Sequence, residues 1–131
     1  KTDYSITYAE INFAKLNNLR FADIINKNGD LVQPTDGAAA AQIATADIAD
    51  NGVVTQNYVN PAPGVYPFTV VTYALALTNY GNADKAKAVK NAIQWHAFNC
   101  PVTAPNDGFI KIDKGSALGA VITGQLAKIG A

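Results

Sequence analysis

The densest apolar run in the chain is Phe68-Thr69-Val70-Val71-Thr72-Tyr73-Ala74-Leu75-Ala76-Leu77, introduced by Val65-Tyr66-Pro67. Only two threonines break it, and its first half is β-branched and aromatic. That is the pattern of a strand covered on both faces, not of an alternating, half-wet one. Residues 65–77 therefore predict a central strand. Pro67 cannot donate to a ladder and belongs at the strand's entry, where Pro63 and Gly64 deliver the chain from a loop. Helices are expected after the run and a separate cluster before it, so it marks the crossing between two parts, 1–64 and 65–131.

Upstream, Tyr4 to Tyr8 alternates around Ile6 and predicts a short strand. Ala9 to Leu19 follows as a helix with Ile11, Phe13, Ala14 and Leu16 close to one stripe, ended by Asn17-Asn18. Arg20 to Asn26 and Leu31-Val32 predict a hairpin around Lys27-Asn28-Gly29-Asp30, where Asn-Gly suits the positive φ angles of a type I′ turn. Pro34 stops the return strand. Thr35 is an N-cap for an alanine-rich helix from Asp36 to Asp47, closed by Asp50-Asn51-Gly52. Residues 51–64, rich in Asn, Pro and Gly, read as one long loop.

Downstream, Asn79 to Asn82 is a turn and Ala83 to Phe98 the clearest helix. Asn82 is its N-cap, Asp84 lies in its first turn, and Ala86, Val89, Ala92, Ile93 and Ala97 share one side away from Lys85, Lys87 and Lys90. Cys100-Pro101 to Asp107-Gly108 is irregular, Phe109 to Ile112 is a short strand or an extended approach, and Ser116 caps a last helix to Ile129. Gly119 and Gly124 inside that helix each cost about 1 kcal/mol relative to alanine, which predicts close packing at both.

Composition narrows the picture. The 131 residues are enough for one domain with a real core. Ten basic and ten acidic residues cancel, and Arg20 is the only arginine, so a nucleic-acid partner is not expected. No apolar run of about 18 residues exists, so no direct membrane insertion is expected. Cys100, the single cysteine, can form no internal disulfide. A chain that starts at Lys1 without a signal-like segment is expected to be a processed product or an excised piece.

Candidate chemistry is sparse, and each candidate has a plainer structural role. His96 and Cys100 are four residues apart, but no further His or Cys completes a metal or nucleophile set. Asp47 and Asp50 are a possible carboxylate pair, or solvated residues at a helix end. Lys114, Gly115 and Ser116 precede a helix and form a weak anion candidate through free N–H groups; the alternative is an N-cap serine after a flexible glycine. Tyr4, Tyr8, Tyr58, Tyr66, Tyr73 and Tyr80 would line a groove only if the fold gathered them. No glycine-rich phosphate loop, HExxH or GxSxG motif occurs. No catalytic residue, metal or cofactor is therefore assigned, and an enzyme is not expected.

Four short motifs in order carry a family resemblance. Ser5-Ile6-Thr7-Tyr8-Ala9-Glu10, continuing through Phe13-Ala14 to Asn17-Asn18-Leu19, resembles a Gly-Ser-Ile-Gly-Tyr-Val-Glu-Tyr-Ala segment. Ile24 to Thr35 is similar to an Asn/Gly turn followed by a Val-x-Pro-Ser/Thr helix entry. Tyr66-Pro67-Phe68 resembles a Tyr/Trp-Pro-Ile signature before an apolar strand. The helix through Ala86-Lys87-Ala88-Val89 to Trp95 resembles one ending in a Phe-x-x-Trp-like pattern. All belong to the phosphate-binding proteins of bacterial ABC transporters. Thr7 stands where that family has its second glycine and Tyr4 where it has the first, and Ile112-Asp113-Lys114 replaces a Leu-Pro helix entry.

The resemblance implies an α/β chain that is part of a type II periplasmic-binding-protein-like fold, with helices packed on a mixed β-sheet. Residues 1–64 would end the second lobe, and 65–131 would cross and return into the first. It also implies that the anion ligands (hydroxyls, helix N-termini, an aspartate and an arginine) come from an earlier portion, since none maps onto this chain and Arg20 matches no ligand position. One expectation is thus the C-terminal portion of a secreted, periplasmic or cell-surface solute-binding protein that binds phosphate only with its missing N-terminal half. Its partners would be that half, or a second copy of the chain, and ABC transporter membrane subunits. The other is a self-standing interaction domain with no transport role.

Overall fold

The computed structural model describes residues 5–59, 62–100 and 109–130. The predicted strand's Tyr4 and most of the irregular stretch after Cys100 lie outside them. The first helix, α1 (Ile11–Leu16), is shorter than its apolar stripe suggests because its ends decide its length. Glu10 provides no side-chain cap. At the other end Asn18 adopts φ 50°, and the N–H groups of Asn18 and Leu19 return to the carbonyls of Lys15 and Ala14. That is a Schellman closure with asparagine in the left-handed position. Residues 5–8 are exposed and pair with no strand among the described residues.

Two antiparallel hairpins follow. β1 (Ile24–Ile25) pairs with β2 (Leu31–Val32), and β3 (Asp47–Ile48) with β4 (Val54–Thr55). Their loops are copies of one another. Asn26 N–H donates to the Asp30 carbonyl and Gly29 N–H to the Asn26 carbonyl; Ala49 and Gly52 make the same bonds to Val53 and Ala49. In each, the asparagine keeps negative φ and only the glycine is left-handed, at 85° for Gly29 and 88° for Gly52. The turn is therefore a type I turn closed by a glycine bulge, not the expected type I′.

The second hairpin also corrects the reading of 36–64. Helix α2 spans Asp36–Ala44, capped by Thr35 Oγ1, which accepts from Ala38 N–H at 3.2 Å. It stops before Asp47: the Thr45 hydroxyl donates to the Gln42 carbonyl and the Ala46 N–H to that of Ile43, and the chain then turns into β3. The supposed long loop contains β4.

The segment 65–77 joins no ladder among the described residues, which corrects the central-strand expectation. It is held instead by scattered single hydrogen bonds. Tyr66 N–H donates to the Ala38 carbonyl, Gln56 Nε2 to the Thr69 carbonyl at 2.7 Å, and Val54 N–H to the Tyr73 hydroxyl at 3.0 Å. Val65 is buried, yet Phe68, Val70 and Leu75 are 74%, 81% and 95% exposed. β-branched composition states a fit to a pleated, covered surface, and it yields a strand only where a neighbouring strand is available.

Helix α3 (Ala83–Phe98) matches its predicted bounds, with Asn82 Oδ1 accepting from Lys85 N–H at 2.9 Å. Helix α4 (Ala117–Ala127) begins at its predicted cap, Ser116, and ends two residues before Ile129. α4 contacts both α3 and β3. Phe98, Ala86 and Leu126 are buried in this part, Val32 and Val65 in the other. Gly52 of the second loop lies against Val121 and Gln125, and Gln125 donates to the Asp50 carbonyl. After α4 the chain meets residues 78–80 in a parallel bridge between Gly130 and Asn79. The chain is thus α/β, its β pairings both antiparallel and parallel. The two glycines of α4 differ: a Cβ on Gly119 would lie 2.2 Å from the Asp113 carbonyl oxygen, whereas one on Gly124 would meet nothing within 4 Å. Close packing explains the first glycine only.

Candidate functional site

Lys114, Gly115 and Ser116 sit where the sequence places them, at the start of α4, but the donors of Gly115 and Ser116 are committed within the turn. Ser116 Oγ accepts from Gly119 N–H at 3.1 Å and donates to the Asp113 carbonyl at 2.6 Å. Gly115 N–H donates to the Asp113 carboxylate at 3.0 Å, and Ser116 N–H to the Asp113 carbonyl. A carboxylate of the chain itself thus occupies the position an external anion would seek, and it repels one. Lys114 Nζ lies 5.1 Å from the centre of the Phe98 ring, a cation–π distance.

Two shallow depressions flank Phe98. One, of about 240 Å³, runs between α3 and α4 with Lys90, Gln94, Lys114 and Thr123 on its walls. The other, of about 250 Å³, lies beside Lys111, Ile112 and Asp113. Three lysines at exposed or half-buried positions attract anions weakly and without geometric selection, because each is a solvated point charge on a flexible stem.

The remaining candidates are dispersed. The His96 ring meets Phe109 edge to face at 5.3 Å. Asp47 lies in β3 opposite Thr55, while Asp50 lies in the following loop with its carbonyl bound by Gln125. Among the tyrosines, Tyr66 packs on Phe68, Tyr73 accepts from Val54, and Tyr80 accepts from Leu77 with Lys85 Nζ 5.7 Å from its ring. No single groove gathers these described tyrosines. Among the described residues no group of three or more His, Cys, Asp or Glu is placed to hold a metal.

A well-connected polar side chain among the described residues is none of the candidates named above. Asn26 is buried; its Oδ1 accepts from Asn28 and Asp30 N–H groups at 2.9 and 3.0 Å. Its Nδ2 donates to Asp30 Oδ2 at 3.1 Å and to the Val65 carbonyl at 3.3 Å. Asp30 Oδ2 also accepts from Gly64 N–H at 3.0 Å. The first hairpin is thereby fastened to the entry of the segment 65–77. The available signal was the spacing Asn-x-Asn-Gly-Asp, in which the first asparagine folds back over its own turn.

The Gly64 N–H, and secondarily the Asn26 amide, hold the Asp30 carboxyl below its ordinary range. A carboxylate whose folded pKa lies below its unfolded value adds stability above the unfolded value, and that contribution is lost as pH falls through the folded one. The stability advantage of the wild type over Asp30→Asn should therefore be full at neutral pH and shrink below about pH 4. Thermal melts of both proteins across this range measure it, and a pH-independent difference contradicts the assignment.

Comparison with known proteins supplies the wider frame. The chain is similar to phosphate-binding protein PstS of Methanocaldococcus jannaschii, 29% identical over 106 residues, which cover 72% of this chain and 27% of that protein. It is 35% identical over 99 residues to phosphate-binding protein PstS 2 of Mycobacterium tuberculosis, covering 71% of this chain and 27% of the relative. The match to phosphate-binding protein PstS of Pasteurella multocida is 32% over 98 residues, 72% of this chain and 28% of the relative. The matched region thus spans about a quarter of the length of these relatives. No family model matches the chain, and no solved structure matches it.

Proposed function

We propose, from the premise that this α/β chain is PstS-like over 71–72% of its length and part of a type II periplasmic-binding-protein-like fold, that it works in phosphate-type solute binding as the C-terminal portion of a secreted binding protein. In this reading 1–64 closes the second lobe and 65–131 crosses into the first. The anion is captured in a cleft whose ligands come from an N-terminal half. The assembled protein presents the anion to ABC transporter membrane subunits in the periplasm or at the cell surface, and no reaction is catalysed. Lys114, Gly115 and Ser116 serve as a helix cap.

The observation that carries the reading is the repeated similarity to phosphate-binding proteins. Two features of the structure support it. The Gly115 and Ser116 donors at the start of α4 are already bound to Asp113. The segment 65–77 exposes Phe68, Val70, Tyr73, Leu75 and Leu77, apolar surface of the kind a strand buries when neighbours are supplied by another part. No helix of the described residues is long and apolar enough to cross a membrane.

Calorimetric titration of the isolated chain with inorganic phosphate is expected to give weak binding or none, with binding gained when the N-terminal portion is joined to it. Micromolar or tighter affinity for the isolated chain overturns the assignment of the ligands to another portion. An open apolar edge also invites pairing with that portion or a second copy. Sedimentation velocity should therefore show self-association that Val70→Lys and Leu75→Lys reduce; a compact monomer at every concentration counts against the missing half.

A further inference from the structure

The two hairpin loops carry the same Asn-Gly pair in the same backbone geometry, yet they hold the asparagine side chains differently. In the first loop, residue 26 is an asparagine whose Oδ1 takes the closing Asp30 N–H, while Asn28 Nδ2 is tied to the Ala62 carbonyl at 2.8 Å. In the second loop the equivalent residue is Ala49, which has no side-chain acceptor, and the closing Val53 N–H donates to Asn51 Oδ1 at 3.0 Å. Asn51 is exposed and its glycine neighbour carries no Cβ to obstruct ring closure.

We infer that Asn51 is a site of covalent modification by deamidation through a succinimide, and that Asn28 in the sister loop is protected. The Gly52 nitrogen, released from the Ala49 carbonyl and giving its proton to solvent, forms a bond to Asn51 Cγ. The Cγ–Nδ2 bond breaks and ammonia leaves with a proton from water. A water molecule then opens the ring at either carbonyl, yielding aspartate or isoaspartate. The Val53 N–H on Oδ1 polarises the amide carbonyl and stabilises the oxyanion formed on attack, the action of an oxyanion donor. At Asn28 the amide is tethered to the Ala62 carbonyl, so attack on it must first break that bond, and the Asp30 N–H is given to Asn26 and not to Asn28 Oδ1. The product adds a negative charge beside Asp50, and an isoaspartate lengthens the backbone of the loop that docks on Gln125 of α4.

The test is incubation of the whole chain at mildly alkaline pH, with peptide mapping by mass spectrometry to follow the mass gain at each asparagine. Asn51 should convert several-fold faster than Asn28 in the folded protein, and the two rates should converge in denaturant. Asn51→Gln should remove the fast phase while leaving the circular dichroism spectrum unchanged. Conversion of Asn28 at an equal or greater rate overturns the inference. So does an advantage of Asn51 that persists in denaturant, because the difference is then local sequence and not structure.

Discussion

Replacing Gly119 by alanine is expected to destabilise the protein by about 2 kcal/mol or more, lowering its melting temperature by roughly 6–10 °C. The added methyl would lie 2.2 Å from the Asp113 carbonyl oxygen and 2.7 and 2.8 Å from Lys114 Cα and C. All three are backbone atoms, so no flexible side chain can swing aside. Relief requires the turn 113–116 to move off the helix, and that turn holds the Ser116 cap and the Asp113 bonds to Gly115 and Ser116. Alanine's better helix propensity recovers only about 1 kcal/mol. Gly124→Ala in the same helix meets open space and should raise stability by up to about 1 kcal/mol. Thermal melts of the two variants are therefore predicted to move in opposite directions; a shift of both upward would mean that Gly119 is not closely packed.

Asn26→Ala should cost about 2–3 kcal/mol. The change removes two acceptor bonds to Asn28 and Asp30 N–H groups and two donor bonds, one of them to the Val65 carbonyl. Alanine takes the amide partner away from the carbonyl of buried Val65, and an unmade hydrogen bond costs more than a made one contributes. Asn26→Asp separates the donor and acceptor contributions. It keeps the acceptor for the two N–H groups, loses the amide donor, and sets a second carboxylate against Asp30. Its deficit should be larger at neutral pH than in acid, where one of the two carboxylates takes a proton. Equal deficits in denaturant melts at both pH values would remove the amide of Asn26 from its role as donor to Asp30.

Local signals in this chain translated faithfully wherever a side chain serves its own neighbourhood. Thr35, Asn82 and Ser116 each cap the helix they precede, by bonds to the N–H three residues on. Asn17-Asn18 ended α1 and Asn28-Gly29 closed a hairpin, although the flanking residues chose a bulged type I turn. What the residues concealed depends on distant partners. The strand-like composition of 68–77 is an offer of pairing that no described strand accepts. β3 was hidden because its two residues continue an alanine-rich helical pattern, and only the register with β4 reveals them. Gly119 and Gly124 look alike in sequence and are separated by the backbone of Asp113 and Lys114 beside the first of them. That same aspartate takes the Gly115 and Ser116 N–H groups of the Lys114-Gly115-Ser116 candidate. The short motifs over residues 5–95 resemble those of phosphate-binding proteins, and the chain is similar to such proteins over 71–72% of its length.

The twin loops also set an order of events as the chain acquires its shape. Each closes over five residues, and hairpins of this kind form in about 1–10 μs. The bond from Asn26 to Val65 joins positions 39 apart, and the one from Gln125 to Asp50 positions 75 apart. Distant closures of that kind are slow because ordering the intervening chain costs entropy before any contact rewards it. Both hairpins should therefore acquire amide protection first in pulse-labelling during refolding, while the rate-limiting step brings residue 65 and then α4 onto loops that are already formed.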